Sequence, residues 1–168
     1  MIKHLKLIII TTCISLSLIM CTNIGKEINF NIDLYQPDQK NYTNKDITKD
    51  FYILNFWFPS CAPCAKELPH FEKLYKEYQD NVEIIGIQMI GIDDIDEGIK
   101  FSKKLNLSFK LGYNADNSTI RKYNINSFPT TLFVSKNNDE IIIWDGYIKY
   151  EDLVKNTIKL IEDSEYND

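Results

Sequence analysis

Histidine and cysteine are scarce in this chain, and basic residues gather nowhere. Its 168 residues hold two histidines, His4 and His70, and four cysteines, Cys13, Cys21, Cys61 and Cys64. A zinc site built on a Cys-x-x-Cys pair needs a second pair or histidines, and neither is to hand. A framework of several disulfides is also excluded, because Cys13 and Cys21 fall in an apolar amino-terminal run and leave only Cys61 and Cys64 for the domain. The formal net charge is −5 and no basic cluster offsets it, which argues against nucleic acid as a partner. There is no internal repeat and no linker, so the length fits one domain with a proper core. A hydrophobic fraction of 44% and an aromatic fraction of 12% exclude wholesale disorder.

What is present begins with a targeting segment, residues 1–21. Lys3 and Lys6 form a charged start, Leu7 to Met20 is mostly Leu, Ile, Thr and Ser, and Cys21 follows. A buried helix of the folded domain is disfavoured, since the run precedes the natural start of the fold. Leu18-Ile19-Met20-Cys21 resembles a bacterial lipobox, in which Cys21 would be lipidated; Met20 departs from the Gly, Ala or Ser usual at its position. Lipidation, an uncleaved membrane anchor and cleavage with release all stay open. Each places the domain, about residues 25–165, outside the cytoplasm.

Along that domain the apolar pattern changes period. Ile28, Phe30, Ile32 and Leu34 alternate with polar residues, as in an edge strand or hairpin. Gln36 to Asp50 reads as loop with one short helical turn. Phe51 to Phe58 is a nearly unbroken apolar run, as expected of a buried central strand. Cys64, Leu68, Phe71, Tyr75 and Tyr78 recur at helical spacing, and Pro69 inside that stretch predicts a kink. Val82 to Ile90 is a second buried strand. Asp93 or Asp94 can cap a helix to about Leu105. Phe109–Tyr113 is a short strand and Ser118–Tyr123 a short helix. Strands at Thr130–Val134 and Glu140–Ile143 flank a turn at Lys136-Asn137-Asn138-Asp139. Tyr150, Val154, Ile158 and Ile161 predict a closing amphipathic helix. This order predicts an α/β fold with a mixed sheet.

The chemistry concentrates in Trp57-Phe58-Pro59-Ser60-Cys61-Ala62-Pro63-Cys64-Ala65-Lys66-Glu67-Leu68-Pro69. A strand ends here and a helix starts near Cys61. Unpaired N–H groups and the positive end of the helix dipole favour an anion at that point, and a thiolate is such an anion. This setting lowers a cysteine pKa from its ordinary value of about 8.5. Cys64, a turn further in, would stay a thiol until it attacks. A purely structural disulfide is disfavoured, because so short a loop contributes little stability.

Asn55-Phe56-Trp57, the Cys-Ala-Pro-Cys motif, Lys66-Glu67-Leu68-Pro69 and the distant Ser127-Phe128-Pro129-Thr130-Thr131-Leu132-Phe133 together resemble the TlpA/ResA/DsbE branch of the thioredoxin superfamily. The resemblance covers roughly Glu27 to Ile161. It implies a thioredoxin-like fold, with a mixed central sheet flanked by helices and an amino-terminal strand or hairpin extension. It implies an extracytoplasmic, membrane-attached thiol–disulfide oxidoreductase with Cys61 and Cys64 as its redox disulfide and Glu67 influencing their protonation. Trp57 and Phe58 would flank the site, and Phe128 with a cis Pro129 would form part of a substrate-docking surface. No bound cofactor is implied; the partners are disulfide-containing proteins, with a membrane thiol carrier supplying electrons. Ser60 replaces the Trp common before the first cysteine, and Asn55 replaces thioredoxin's own Asp. An oxidase or isomerase on the same fold and a non-enzymatic surface lipoprotein are the competing readings. A peroxidase of the peroxiredoxin kind is disfavoured, since Phe58 stands where that family carries Thr.

Overall fold

The computed structural model describes residues 29–35, 41–114, 116–136 and 140–165; the segment up to Cys21 and most of the 136–139 turn lie outside them. The strands are β1 (Asn31–Leu34), β2 (Tyr42–Thr43), β3 (Phe51–Trp57), β4 (Val82–Gln88), β5 (Lys110–Tyr113), β6 (Thr130–Ser135) and β7 (Glu140–Asp145). The helices are α1 (Ala62–Tyr78), α2 (Ile95–Lys104), α3 (Ser118–Lys122) and α4 (Tyr150–Glu165), with a single 3₁₀ turn at Asn44–Asp46. The sheet order is β2-β1-β5-β4-β3-β6-β7. Strands β3, β4 and β5 run parallel, and β1, β6 and β7 join antiparallel to their neighbours.

Alternation along β3 sorts its side chains between two apolar layers. Tyr52, Leu54 and Phe56 face a layer shared with Phe30, Ile32, Leu34, Ile120 and Val134. Ile53 and Trp57 face the opposite layer, built from Cys64, Leu68 and Phe71 of α1 and from Leu153 and Leu160 of α4. Asn55 therefore points into the same space as α1, and its register partner Thr131 joins it there. That pairing sets the candidate site.

Several expectations need correction. The amino-terminal pattern does form a hairpin, but β1 is interior and two-residue β2 is the edge. Its place beside β5 depends on Gly112, where a Cβ would fall 2.5 Å from the Asp33 carbonyl oxygen. The closing helix buries Leu153, Thr157 and Leu160 completely, whereas Ile158 is 36% exposed. The apolar stripe read from sequence thus lay slightly off the true inward face, because a buried Thr157 donates to the Leu153 carbonyl and counts as inward. Pro69, where the sequence predicts a kink, lies inside α1. Asp94 caps α2, with Glu97 accepting from its N–H, and Asp93 is used elsewhere.

Candidate redox site

Cys61 is the N-cap of α1, with extended backbone, and Pro63 follows in the first turn, where its missing N–H costs nothing. Its sulfur accepts from the Cys64 N–H at 3.2 Å, as a capping oxygen would in a helix beginning with serine. The Cys61 N–H in turn donates to the Phe58 carbonyl at 3.1 Å, closing the turn between β3 and α1. Cys61 and Cys64 form a disulfide. Cys61 retains 7% exposure and Cys64 has none, so an incoming sulfur can reach only the first. No acidic residue sits in the first turn of α1 to oppose a thiolate there.

Asp93 reaches across from the β4–α2 loop and accepts from the Ser60 N–H at 2.7 Å. This bond holds the strand-to-helix turn from the side opposite Phe128. The Phe58 and Phe128 rings meet edge-on with centroids 5.3 Å apart, both half-buried. The Phe128–Pro129 bond is cis, and the Pro129 carbonyl is taken by the Gly146 N–H at 2.8 Å. Trp57, expected to flank the site, is fully buried and packs against Phe101 with ring centroids 6.0 Å apart. It faces the α1 layer as the last residue of β3.

Glu67 lies one turn beyond Cys64 on the same inner face of α1 and is fully buried. Asn55 Nδ2 donates to Oε1 at 2.8 Å, and the Ile148 N–H donates to Oε2 at 2.9 Å. Burial pushes the carboxyl up to about 7, and the two N–H donors, Ile148 and then Asn55, pull against that without cancelling it. Among the described residues no cation pairs with Glu67. His70, one turn further on, lies with Nδ1 3.2 Å from the Ile148 carbonyl and donates to it, so α1 holds the same loop twice.

Cys61, Cys64, Glu67, Phe58, Phe128 and Pro129 all belong to one end of the sheet. Sequence reasoning left out Thr131, Asp93 and the Ile148 N–H. Asp93 had been read only as a possible helix cap. The Ile148 donor is a backbone group and leaves no trace in residue type.

A model of the AhpC/TSA family matches residues 24–142. The thiol-disulfide oxidoreductase ResA of Halalkalibacterium halodurans is 30% identical over 113 residues, which is 66% of this chain and 61% of that protein. ResA of Bacillus thuringiensis subsp. konkukian is 32% identical over 120 residues, 70% of this chain and 67% of that one. The chain therefore spans about 61–67% of these relatives' length. The solved structure of an exposed lipoprotein thioredoxin, Etrx1 of Streptococcus pneumoniae, superposes with a TM-score of 0.67 at 18% identity, covering 78% of this chain and 98% of the other. That likeness establishes a thioredoxin-like fold. With the family model spanning more than half its length, the chain belongs to the AhpC/TSA family.

Proposed function

We propose that the protein is a thiol–disulfide oxidoreductase that reduces disulfides of proteins outside the cytoplasm. The observation that carries this reading is the Cys61–Cys64 disulfide at the start of α1, with one sulfur at the surface and the other enclosed beside a carboxyl of raised pKa. In the reduced protein the Cys61 thiolate attacks a substrate disulfide, forming a mixed disulfide and releasing one substrate thiolate, which takes a proton from water. The Cys64 thiol gives its proton to ionised Glu67 and, as a thiolate, attacks the Cys61 sulfur, which re-forms the protein disulfide and releases the second substrate sulfur as a thiolate. Two electrons pass to the substrate, and a membrane thiol carrier returns them. Phe58 and Phe128 would present an apolar rim to an extended substrate. The Phe128 N–H and carbonyl take no partner among the described residues, and they offer the substrate a backbone pair.

The reducing direction is supported by Ala62-Pro63, which adds no charge to stabilise a thiolate beyond the helix end, and by Glu67, which opposes one when ionised. A potential near thioredoxin's, about −270 mV, is expected, and one near DsbA's, about −120 mV, would favour the oxidase reading. Equilibration against defined glutathione mixtures measures it. Residues 1–21 would hold the domain at the membrane, by lipid on Cys21 or as an uncleaved anchor. Cell fractionation and intact mass of the wild type and Cys21→Ala separate these. The activity itself is tested with Cys64→Ala, which should trap substrates on Cys61 as mixed disulfides. Failure of the wild type to reduce insulin disulfides, with no trapped partner, would leave the binding-lipoprotein reading.

A further inference from the structure

The Asn55 amide is enclosed in the layer between β3 and α1, and its hydrogen bonds do not balance. Nδ2 donates twice, to Glu67 Oε1 at 2.8 Å and to Thr131 Oγ1 at 3.3 Å, while Oδ1 is buried with no partner. A buried acceptor left unpaired is costly, so such a group calls for an explanation.

We infer that Asn55 is a positioning residue whose amide has two working orientations, one donating to ionised Glu67 and one accepting from protonated Glu67. The inference rests on the reading of Glu67 as proton acceptor for Cys64. The present arrangement suits the carboxylate, because both of its oxygens receive an N–H. The donor to Oε2 is the backbone of Ile148 and cannot become an acceptor. A proton arriving at Glu67 therefore belongs on Oε1, where it would confront the N–H of Asn55. Half a turn about the Asn55 Cβ–Cγ bond removes that conflict. Oδ1 then occupies the place of Nδ2 and accepts both the Glu67 O–H and the Thr131 hydroxyl, which has no other partner among the described residues and can rotate from acceptor to donor.

Each orientation makes two hydrogen bonds and leaves one end of the amide unpaired: Oδ1 when Glu67 is ionised, Nδ2 when it is protonated. The orphan atom is thus the cost of matching both states of Glu67 with the same side chain. Aspartate offers no donor to a carboxylate, and leucine offers neither donor nor acceptor. The charges around Glu67 do not supply this role. The titratable groups within one helical turn of Glu67 are Cys64, Lys66 and His70, and those within two residues of Ile148 are Tyr147, Lys149 and Tyr150; Lys66 is exposed, its ammonium 5.0 Å from the Tyr147 ring centre. Strands β3 and β6 contribute uncharged Asn55 and Thr131, and α4 turns Leu153 and Thr157 inward.

The test is an NMR titration of the ¹⁵N,¹³C-labelled wild type. Nuclear Overhauser contacts from the Asn55 NH₂ protons to the Thr131 side chain should be present above the Glu67 midpoint and lost below it, and Glu67→Gln should remove that pH dependence. Contacts that persist while the Glu67 carboxyl titrates would overturn the switch, since a fixed amide would only change chemical shift. As a second measurement, Asn55→Leu should move the Glu67-linked step of the exchange-rate pH profile by less than about one unit, because each protonation state of Glu67 loses one hydrogen bond. A rise of about one unit or more would also overturn it, since an amide fixed as a donor supports the carboxylate alone. If Glu67→Gln leaves the wild-type exchange profile unaltered while the amide still switches, the catalytic reading of Glu67 falls and the amide switch stands.

Discussion

A carboxyl group enclosed as Glu67 is ionises late, and that ties folding to pH. In the unfolded chain it would titrate at its ordinary value near 4.5, whereas in the fold burial holds it at about 7. Between those values the folded state keeps a proton that the unfolded state has lost. The contribution is fully present below pH 4.5 and drains away as pH rises through 7, amounting to about 3 kcal/mol. Chemical denaturation of the oxidised protein at pH 5 and pH 8 should show this loss, and Glu67→Gln should flatten it. An equal pH dependence in wild type and variant would place the raised pKa elsewhere. The two cysteines divide by exposure in the same local way. In the reduced protein Cys61 should alkylate faster than Cys64 at neutral pH, with an apparent pKa below about 8.5, because only Cys61 combines helix-end stabilisation with access.

At the scale of elements, β4 leaves no room for a side chain where it passes Trp57. Gly86 pairs with Asn55 in register, and a Cβ there would fall 2.5 Å from Leu111 Cδ2 and 3.2 Å from Trp57 Nε1. Gly86→Ala should therefore cost about 1–3 kcal/mol by overpacking, read as a drop of several degrees in Tm. A second prediction concerns the rotation of α4. Leu160→Ala should cost about 2–5 kcal/mol, because the side chain is fully buried, whereas Ile158→Ala should stay within about 0.5 kcal/mol. Comparable losses at both positions would mean that α4 turns the other face inward. Sequence periodicity placed this helix correctly along the chain, and Tyr150, Val154 and Ile161 of its stripe pack on the core while Ile158 does not. Side chains at helical spacing define a broad stripe, and contact with α1 selects which part of it is buried.

For the whole molecule, the amino-terminal extension is part of the core. Phe30, Ile32, Leu34, Tyr42 and Ile47 are all buried in the layer opposite the redox site. A chain beginning at Thr48 should lose cooperative thermal unfolding and bind a hydrophobic dye. What the sequence by itself determined is the order of elements, the mixed sheet, the redox pair and the turn at Pro129. Those features rest on local chemistry: apolar period, cap and turn residues, and two cysteines one helical turn apart. Asn55, Glu67, Thr131 and the Ile148 N–H span 94 residues of chain, and only the register of β3 with β6 and the packing of α1 on the sheet bring them together. The same packing turned Trp57 inward and sent Asp93 to Ser60 rather than to a helix cap. Which of two hydrogen-bonding states a buried side chain adopts, and which carboxyl keeps its proton, depends on partners that meet only in the folded protein, because desolvation acts on the assembled layer and not on the residue.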